Sequence, residues 1–384
     1  MDAGLYVHIP FCVKKCSYCD FNSFPIGKHC EKTGQYVDYL VREMEIQSKA
    51  ASQYEFSSVF VGGGTPTILC EEGIELLFEG IYKNFNIAKG AEITMEANPK
   101  TLSEGKLKVI KKCGVNRLSM GLQAAQENIL QILGRIHSYE DFVENYDQAR
   151  MAGFENINVD LMFSIPGQTF EDWMDTLEKV TSLSPEHISA YSLIVEEGTP
   201  ICESIERGGL VELDEDTDRK MYHEGIKFLK DRGYVQYEIS NFSKPGHESA
   251  HNIKYWRCSD YVGLGPGAHS YMNGVRHSNC SSLEEYYASI DEKRPPVNWS
   301  EAISQKQQME ETMFMGLRMN EGVSKGEFYK KFNVEFDEVY GDKVDVLEEK
   351  GLLEIKEYRG DKRVCLTLHG IDISNTVFIE FLID

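Results

Sequence analysis

The chain has 384 residues, room for one large domain and a smaller one, and 41% of them are hydrophobic, enough for a sizeable core. A formal charge of −22 argues against direct nucleic-acid binding, which needs clustered Lys and Arg to displace counterions. The start MDAGLYVHIPF has no basic n-region and no apolar stretch of signal-peptide length, and no run of about 18 apolar residues follows, so a cytoplasmic chain without a membrane span is expected. Ten cysteines in that compartment point to metal or redox use for some of them rather than to a disulfide framework.

In chain order, short apolar runs at 5–8, 59–62, 93–96, 117–120, 157–161 and 188–193 alternate with helical patterns at 36–50, 73–84, 103–112, 138–151 and 170–183. That alternation predicts βαβ units and a parallel sheet. Three segments, KKCGVNRLS, RMAGFENINVD and KDRGYVQYEIS, each end a helix at a glycine and enter a strand, as a left-handed C-cap requires. The count predicts an α/β fold built on a partial, open (β/α)6 TIM-like barrel, with functional residues at the C-terminal strand ends. Gly, His, Asn and aromatic residues then cluster through 237–271, and Arg294-Pro-Pro marks a break. From residue 301 the pattern is helix, turn, helix and short strands, which predicts a mainly helical, winged-helix-like domain acting as a lid or packing unit. The expected divisions are a core at 1–235, a connecting segment at 236–300 and a C-terminal domain at 301–384.

Phe11-Cys12-Val13-Lys14-Lys15-Cys16-Ser17-Tyr18-Cys19-Asp20-Phe21 places three cysteines at C-x3-C-x2-C spacing in one loop after the first strand. A cubane of four irons normally takes four thiolates, so three leave one iron open to another ligand. A zinc site completed by His8 or His29 is the competing reading of this spacing. The other cysteines, Cys30, Cys70, Cys113, Cys202, Cys258, Cys280 and Cys365, stand singly and are expected as small buried residues. Gly62-Gly63-Gly64-Thr65-Pro66 follows the second strand, where consecutive glycines let backbone approach a ligand closely. Glu96 ends the third strand, Gln123 the fourth and Asp160 the fifth, and Arg135 follows in LGRIHS. Together they put acid, amide and guanidinium groups on one rim.

The cysteine spacing, with an aromatic before the last cysteine, resembles the radical SAM superfamily. The resemblance implies a [4Fe–4S] cluster on Cys12, Cys16 and Cys19, with S-adenosylmethionine (SAM) chelating the open iron and cleaved on one-electron reduction to a 5′-deoxyadenosyl radical. YVHIPFC, VGGGTPT, EANP, RLSMGLQ, LGRIHS and NVDLMFSIPGQT further resemble, in order and spacing, the oxygen-independent coproporphyrinogen III oxidase group. The oxidase has another cysteine two residues after the third cluster cysteine, where this chain has Phe21. That CDF form, and His251-Asn252-Ile253-Lys254-Tyr255-Trp256 as an HNxxYW motif, resemble the heme-chaperone branch of the group, the HemW branch.

The resemblance implies contacts to the cluster-bound SAM at Tyr6, Gly63, Glu96 and the Ala268/His269 region. It implies a second SAM-holding set at Tyr18, Gly64, Thr65, Gln123, Arg135, Asp160 and Ile194. His251 is the heme candidate, since neutral imidazole ligates heme iron and aromatic faces suit a porphyrin; His247, His269 and Cys258 are alternatives. The alternative for the HNxxYW segment is packing over the barrel mouth. The implied function is a heme chaperone passing heme to an acceptor hemoprotein, with a reducing electron donor. The runner-up is oxidative decarboxylation of coproporphyrinogen III, expected to be absent.

Overall fold

A computed structural model of the protein describes residues 1–27, 29, 33–358 and 360–383. Six strands run parallel in sequence order: β1 (Asp2–Ile9), β2 (Glu55–Gly63), β3 (Ile87–Ala97), β4 (Arg117–Gln123), β5 (Asn156–Phe163) and β6 (His187–Ser192). The helices Gly34–Gln47, Glu71–Asn84, Glu104–Lys112, Tyr139–Met151 and Phe170–Ser182 make the crossovers. This is the open six-unit barrel that the alternation predicts. The three glycine repeats end their helices alike: Gly114, Gly153 and Gly233 have φ of 90°, 88° and 85°. Each donates to the carbonyl three residues back, and the next residue to the carbonyl five back, which is a Schellman cap.

The stretch after β6 adds six strands to the same sheet. Beyond β6 lie β7 (Val235–Glu238) and β8 (Asn241–Ser243), with β8 antiparallel to both β6 and β7. At the other edge β9 (Tyr261–Leu264) pairs parallel with β1, and β10 (His269–Met272), β11 (Val275–Asn279) and β12 (Val297–Ala302) continue antiparallel. Among the described residues the sheet therefore has twelve strands, with β7 and β12 at its edges.

Alternation along the strands sorts the side chains. In β1, Ala3, Leu5, Val7 and Ile9 are fully buried against the helical shell, while Gly4, Tyr6 and His8 face the interior. Arg117, Ser119, Gly121 and Gln123 of β4 face inward too, so the interior is largely polar. Residues 305–381 form a second core around Met313, Leu317, Phe328, Phe336, Tyr340 and Val364. Its helices Gln305–Gly316, Lys325–Phe332 and Phe336–Glu349 pack with a three-stranded antiparallel sheet, the winged arrangement expected from sequence. No helix among the described residues is long and apolar enough to cross a membrane.

The single cysteines are less buried than expected. Cys280 and Cys365 are buried, but Cys70, Cys113, Cys202 and Cys258 are partly exposed. Cys70 caps the start of one helix and Cys113 the end of another, and helix ends lie at the surface. Cys30 lies outside the described residues.

The cap glycines give a direct test. A Cβ on Gly153 meets nothing closer than Lys111 Cε at 4.0 Å, so Gly153→Ala should cost only backbone strain, about 1 kcal/mol in denaturant unfolding. Gly114→Ala should cost more, because its Cβ would lie 2.5 Å from Tyr82 Oη.

Candidate functional site

The loop carrying the three cysteines has little regular structure, so other elements must hold it. Phe11–Cys12 pairs with Phe24–Pro25, closing the loop at its base. His8 donates through Nε2 to Asn22 O at 2.8 Å, and Tyr6 Oη donates to His8 Nδ1 at 2.9 Å. Asn22 Nδ2 donates to the carbonyls of Pro266 and Ser281 at 3.1 and 3.0 Å. Ser17 donates by its backbone to Leu133 O at 3.0 Å and by its hydroxyl to Ile132 O at 2.6 Å.

So held, Cys12, Cys16 and Cys19 line a cavity of about 370 Å3 at the C-terminal ends of the strands, within the size range of ligand pockets, about 300–1,000 Å3. Tyr18, Gly63, Gly64, Thr65, Glu96, Gln123, Arg135 and Asp160 line it too. The predicted rim is therefore one place. The Gly62–Gly64 run is required by close packing. A Cβ at Gly62 would sit 2.7 Å from Phe60, at Gly63 2.5 Å from His8, and at Gly64 2.6 Å from Phe11 O and 3.0 Å from Cys12 Sγ. Gly63 also has φ 110° and donates its N–H to Glu96 Oε2 at 3.0 Å. Gln123 holds a left-handed φ of 75°, a strained conformation for a residue with a side chain.

Arg135 ties the rim together. Its Nη2 donates to Asn98 Oδ1 at 2.5 Å and Gly121 O at 2.7 Å, and its Nη1 reaches Cys16 Sγ at 3.5 Å. Its Nε is buried with no partner. Thr65 accepts from Asn98 Nδ2 at 2.8 Å and directs its hydroxyl to Cys12 Sγ at 3.6 Å. Asn98, Ser119, Met162 and Tyr191 also line the cavity and were not singled out from sequence. The available signal was two-residue spacing: Met162 follows Asp160 on the same face of β5, and Asn98 follows Glu96 just past the end of β3.

Tyr6, Ile194, His251 and the Ala268/His269 pair do not line the cavity. Tyr6 sits beneath it against Phe60, at a ring distance of 6.3 Å. Ile194 is 71% exposed, beyond the end of β6, so it does not line the wall. His251 lies in the helix Ala250–Trp256, which plugs the opposite, N-terminal end of the barrel rather than its mouth. There Glu92, midway along β3, accepts from the backbone N–H groups of Ala250 and His251, both at 3.1 Å. His251 is 1% exposed, its Nδ1 bonds Ser58 Oγ at 2.9 Å, its Nε2 bonds Tyr255 Oη at 3.0 Å, and its ring stacks on Phe60. Burial, reinforced by Lys254 and Arg117, pushes its pKa down to about 3, so the imidazole is neutral. Ligation of iron from here would have to break one of those two bonds. Trp256 faces the C-terminal unit, with the Arg318 guanidinium 4.6 Å from its ring.

The cavity is lined by charged groups of both signs, Glu96 and Asp160 together with Lys14, Lys15 and Arg135. Burial, then the charge of Asp160, pushes the Glu96 carboxyl up to about 8, against the Gly63 N–H and Arg117. Burial raises Asp160, and it raises the Cys12 thiol and takes Cys19 to about 11. Such thiols ionise when iron binds and takes up their charge. Two carboxyl groups, three thiols, two lysines and an orphaned Arg135 Nε suit a polar ligand carrying charges of both signs beside an iron cluster. Zinc fits less well: His8 has both ring nitrogens engaged. Among the described residues no three His, Cys, Asp or Glu side chains are placed to hold one metal ion.

These shifts have a testable sign. Glu96 binds its proton more tightly folded than unfolded, so in the protein without cluster or SAM, stability should fall as pH rises from about 4.5 to about 8. Glu96→Gln should flatten that part of the pH profile in thermal unfolding, and an unchanged slope would assign it to other groups.

Comparison with known proteins agrees with this geometry. The radical SAM superfamily pattern matches residues 6–180, and the HemN C-terminal domain matches residues 303–373. The chain is 38% identical to heme chaperone HemW of Bacillus subtilis over 98% of both chains. It is 36% identical to heme chaperone HemW of Lactococcus lactis, over 99% of this chain and 97% of that one. Among solved structures, coproporphyrinogen III oxidase HemN of Escherichia coli, a radical SAM enzyme, superposes with a TM-score of 0.87 at 24% identity, covering 99% of this chain and 90% of that one. At that identity the likeness to HemN speaks to the fold, whereas the full-length sequence likeness decides the branch. The chain belongs to the HemW family of radical SAM proteins.

Proposed function

We propose that this protein is a heme chaperone, holding heme and passing it to an acceptor hemoprotein with the help of a [4Fe–4S] cluster and SAM. The observation that carries this reading is the end-to-end likeness to proteins named heme chaperone, at 38% identity over 98% of each chain in one case. A local feature supports it. Phe21, where the oxidase has a further cysteine, is 60% exposed at the cavity edge and offers an apolar face there.

In this reading Cys12, Cys16 and Cys19 ligate the cluster and leave one iron for SAM. Bound there, the pair supplies one-electron chemistry fed by an external reductant. The protein's own part is to bind and orient. The Thr65 hydroxyl and the Arg135 guanidinium point at Cys12 and Cys16, and such donors stabilise sulfur that carries negative charge. Gly63 would meet the methionine amino group of SAM, and Glu96 its ribose hydroxyls or ammonium. Tyr18, Gly64, Thr65, Gln123, Arg135 and Asp160 hold the polar groups of a SAM molecule in the rest of the cavity. A heme contact at His251 requires the 250–256 helix to leave the barrel end, because both ring nitrogens are engaged there.

Anaerobic reconstitution tests the reading. With hemin and an apo-hemoprotein, heme should move to the acceptor. With coproporphyrinogen III and SAM, no protoporphyrinogen should form. Accumulation of protoporphyrinogen without heme transfer would overturn the assignment in favour of the oxidase. Cys12→Ala should lose the cluster's visible absorbance and most of its bound iron, and full retention of iron would refute the ligand assignment.

A further inference from the structure

Between the cavity and the plug, the barrel interior contains one continuous chain of hydrogen bonds. Asp160 accepts from Asn158 Nδ2 at 2.8 Å and from Ser119 Oγ at 3.2 Å. Asn158 Nδ2 also donates to Ser119 Oγ at 2.7 Å. An ionised carboxylate only accepts, so the Asn158 amide nitrogen must face Asp160 and its oxygen must face away. That oxygen lies 2.6 Å from His187 Nδ1 and accepts from Ser189 Oγ at 3.2 Å. His187 therefore carries its proton on Nδ1, and its Nε2 is left as an acceptor. Tyr237 Oη, 2.9 Å away, donates to it. The Tyr237 oxygen in turn accepts the N–H of Ser249 at 3.2 Å, and Ser249 is the N-cap of the plug helix. Every donor in the series points toward Asp160.

The middle of the chain is closed to water, while Tyr237 is half-buried. His187 and Ser249 are fully buried and Asn158 is 1% exposed. Burial holds the His187 imidazole neutral. In a low-dielectric interior, hydrogen bonds aligned head to tail reinforce one another, and a break in the series leaves a buried group unpaired.

We propose that His187 and Tyr237 are positioning residues that aim the Asp160 carboxylate into the cavity and keep its outer lone pairs free for a bound donor, with the plug helix as their fixed end. This rests on the reading that Asp160 contacts SAM. Of the four lone-pair sites on a carboxylate, roughly two are taken by Asn158 and Ser119, which leaves the cavity side for hydroxyl or ammonium donors of the ligand.

The test is SAM binding by anaerobic calorimetry to reconstituted protein, with iron per chain measured on every variant. His187→Leu should bind SAM about tenfold more weakly at normal iron content, and Tyr237→Phe should shift affinity in the same direction. His187→Gln should restore much of the affinity, because its amide offers one donor and one acceptor. In an Asp160→Asn background His187→Leu should cost nothing further, since its effect passes through Asp160. The inference is overturned if His187→Leu and Tyr237→Phe bind SAM as the parent does while Asp160→Asn binds weakly. It is also overturned if His187→Leu weakens binding equally with and without Asp160. If Asp160→Asn itself binds as the parent does, the SAM contact at Asp160 is overturned and this inference with it. Nitrogen NMR of the cluster-free protein gives a readout independent of folding losses. His187 should be neutral and protonated on Nδ1, and an Nε2-protonated ring would contradict the ordering.

Discussion

The site depends on how a loop of some fifteen residues, with almost no backbone ladder of its own, is held still. Three side chains do most of it. His8 bonds the carbonyl of Asn22, Asn22 reaches the carbonyls of Pro266 and Ser281, and Ser17 bonds the carbonyls of Ile132 and Leu133. The loop that carries Cys12, Cys16 and Cys19 is thereby tied to β1, to the stretch after β4 and to the strands added beside β1. Metal ligands have to be placed by surroundings that do not move, and here those surroundings come from segments more than two hundred residues apart. The Gly62–Gly64 run belongs to the same constraint. A side chain at any of the three would push on Phe60, His8 or the loop backbone.

The two ends of the barrel have opposite characters. The C-terminal end is a polar, thiol-lined cavity, while the N-terminal end is sealed by the 250–256 helix. That helix also meets the C-terminal unit. Arg318 lies over Trp256 and 3.7 Å from the buried Glu238, and Asn320 N donates to Tyr237 O at 3.0 Å. Tyr237 is thus shared: its hydroxyl belongs to the interior chain that ends at Asp160, and its carbonyl belongs to the contact with residues 318–320. The HNxxYW segment joins three parts of the molecule at once. That accounts for the burial of His251 and for the aromatic content of its neighbours without invoking a ligand.

Much of this was legible in the sequence where the signal is local. Six apolar runs separated by helical patterns gave the parallel strands, and glycine after a basic helix end gave the Schellman caps at Gly114, Gly153 and Gly233. Cys12, Glu96, Gln123, Arg135 and Asp160 converge because barrel topology gathers C-terminal strand ends, a rule that needs no side-chain detail. What local pattern could not supply was long-range placement. Strands β7 to β12 are three to six residues long and, apart from the parallel pairing of β9 with β1, antiparallel, too short for periodicity to mark. His251 looked available because nothing near it in sequence shows Ser58 and Glu92 receiving it. Ile194 was placed by resemblance two residues past the strand end, where its side chain is exposed rather than in the wall. Asn22 carried no motif at all, and its role comes from two carbonyls contributed by distant segments.

The central claim is that three thiols hold a [4Fe–4S] cluster with one iron left for SAM. Electron paramagnetic resonance of the reduced, reconstituted protein, recorded with and without SAM, tests it most directly. The account predicts one reduced-cluster signal whose shape changes when SAM is added, because SAM takes the open iron. An identical signal in both samples, from protein with full iron content, would contradict it.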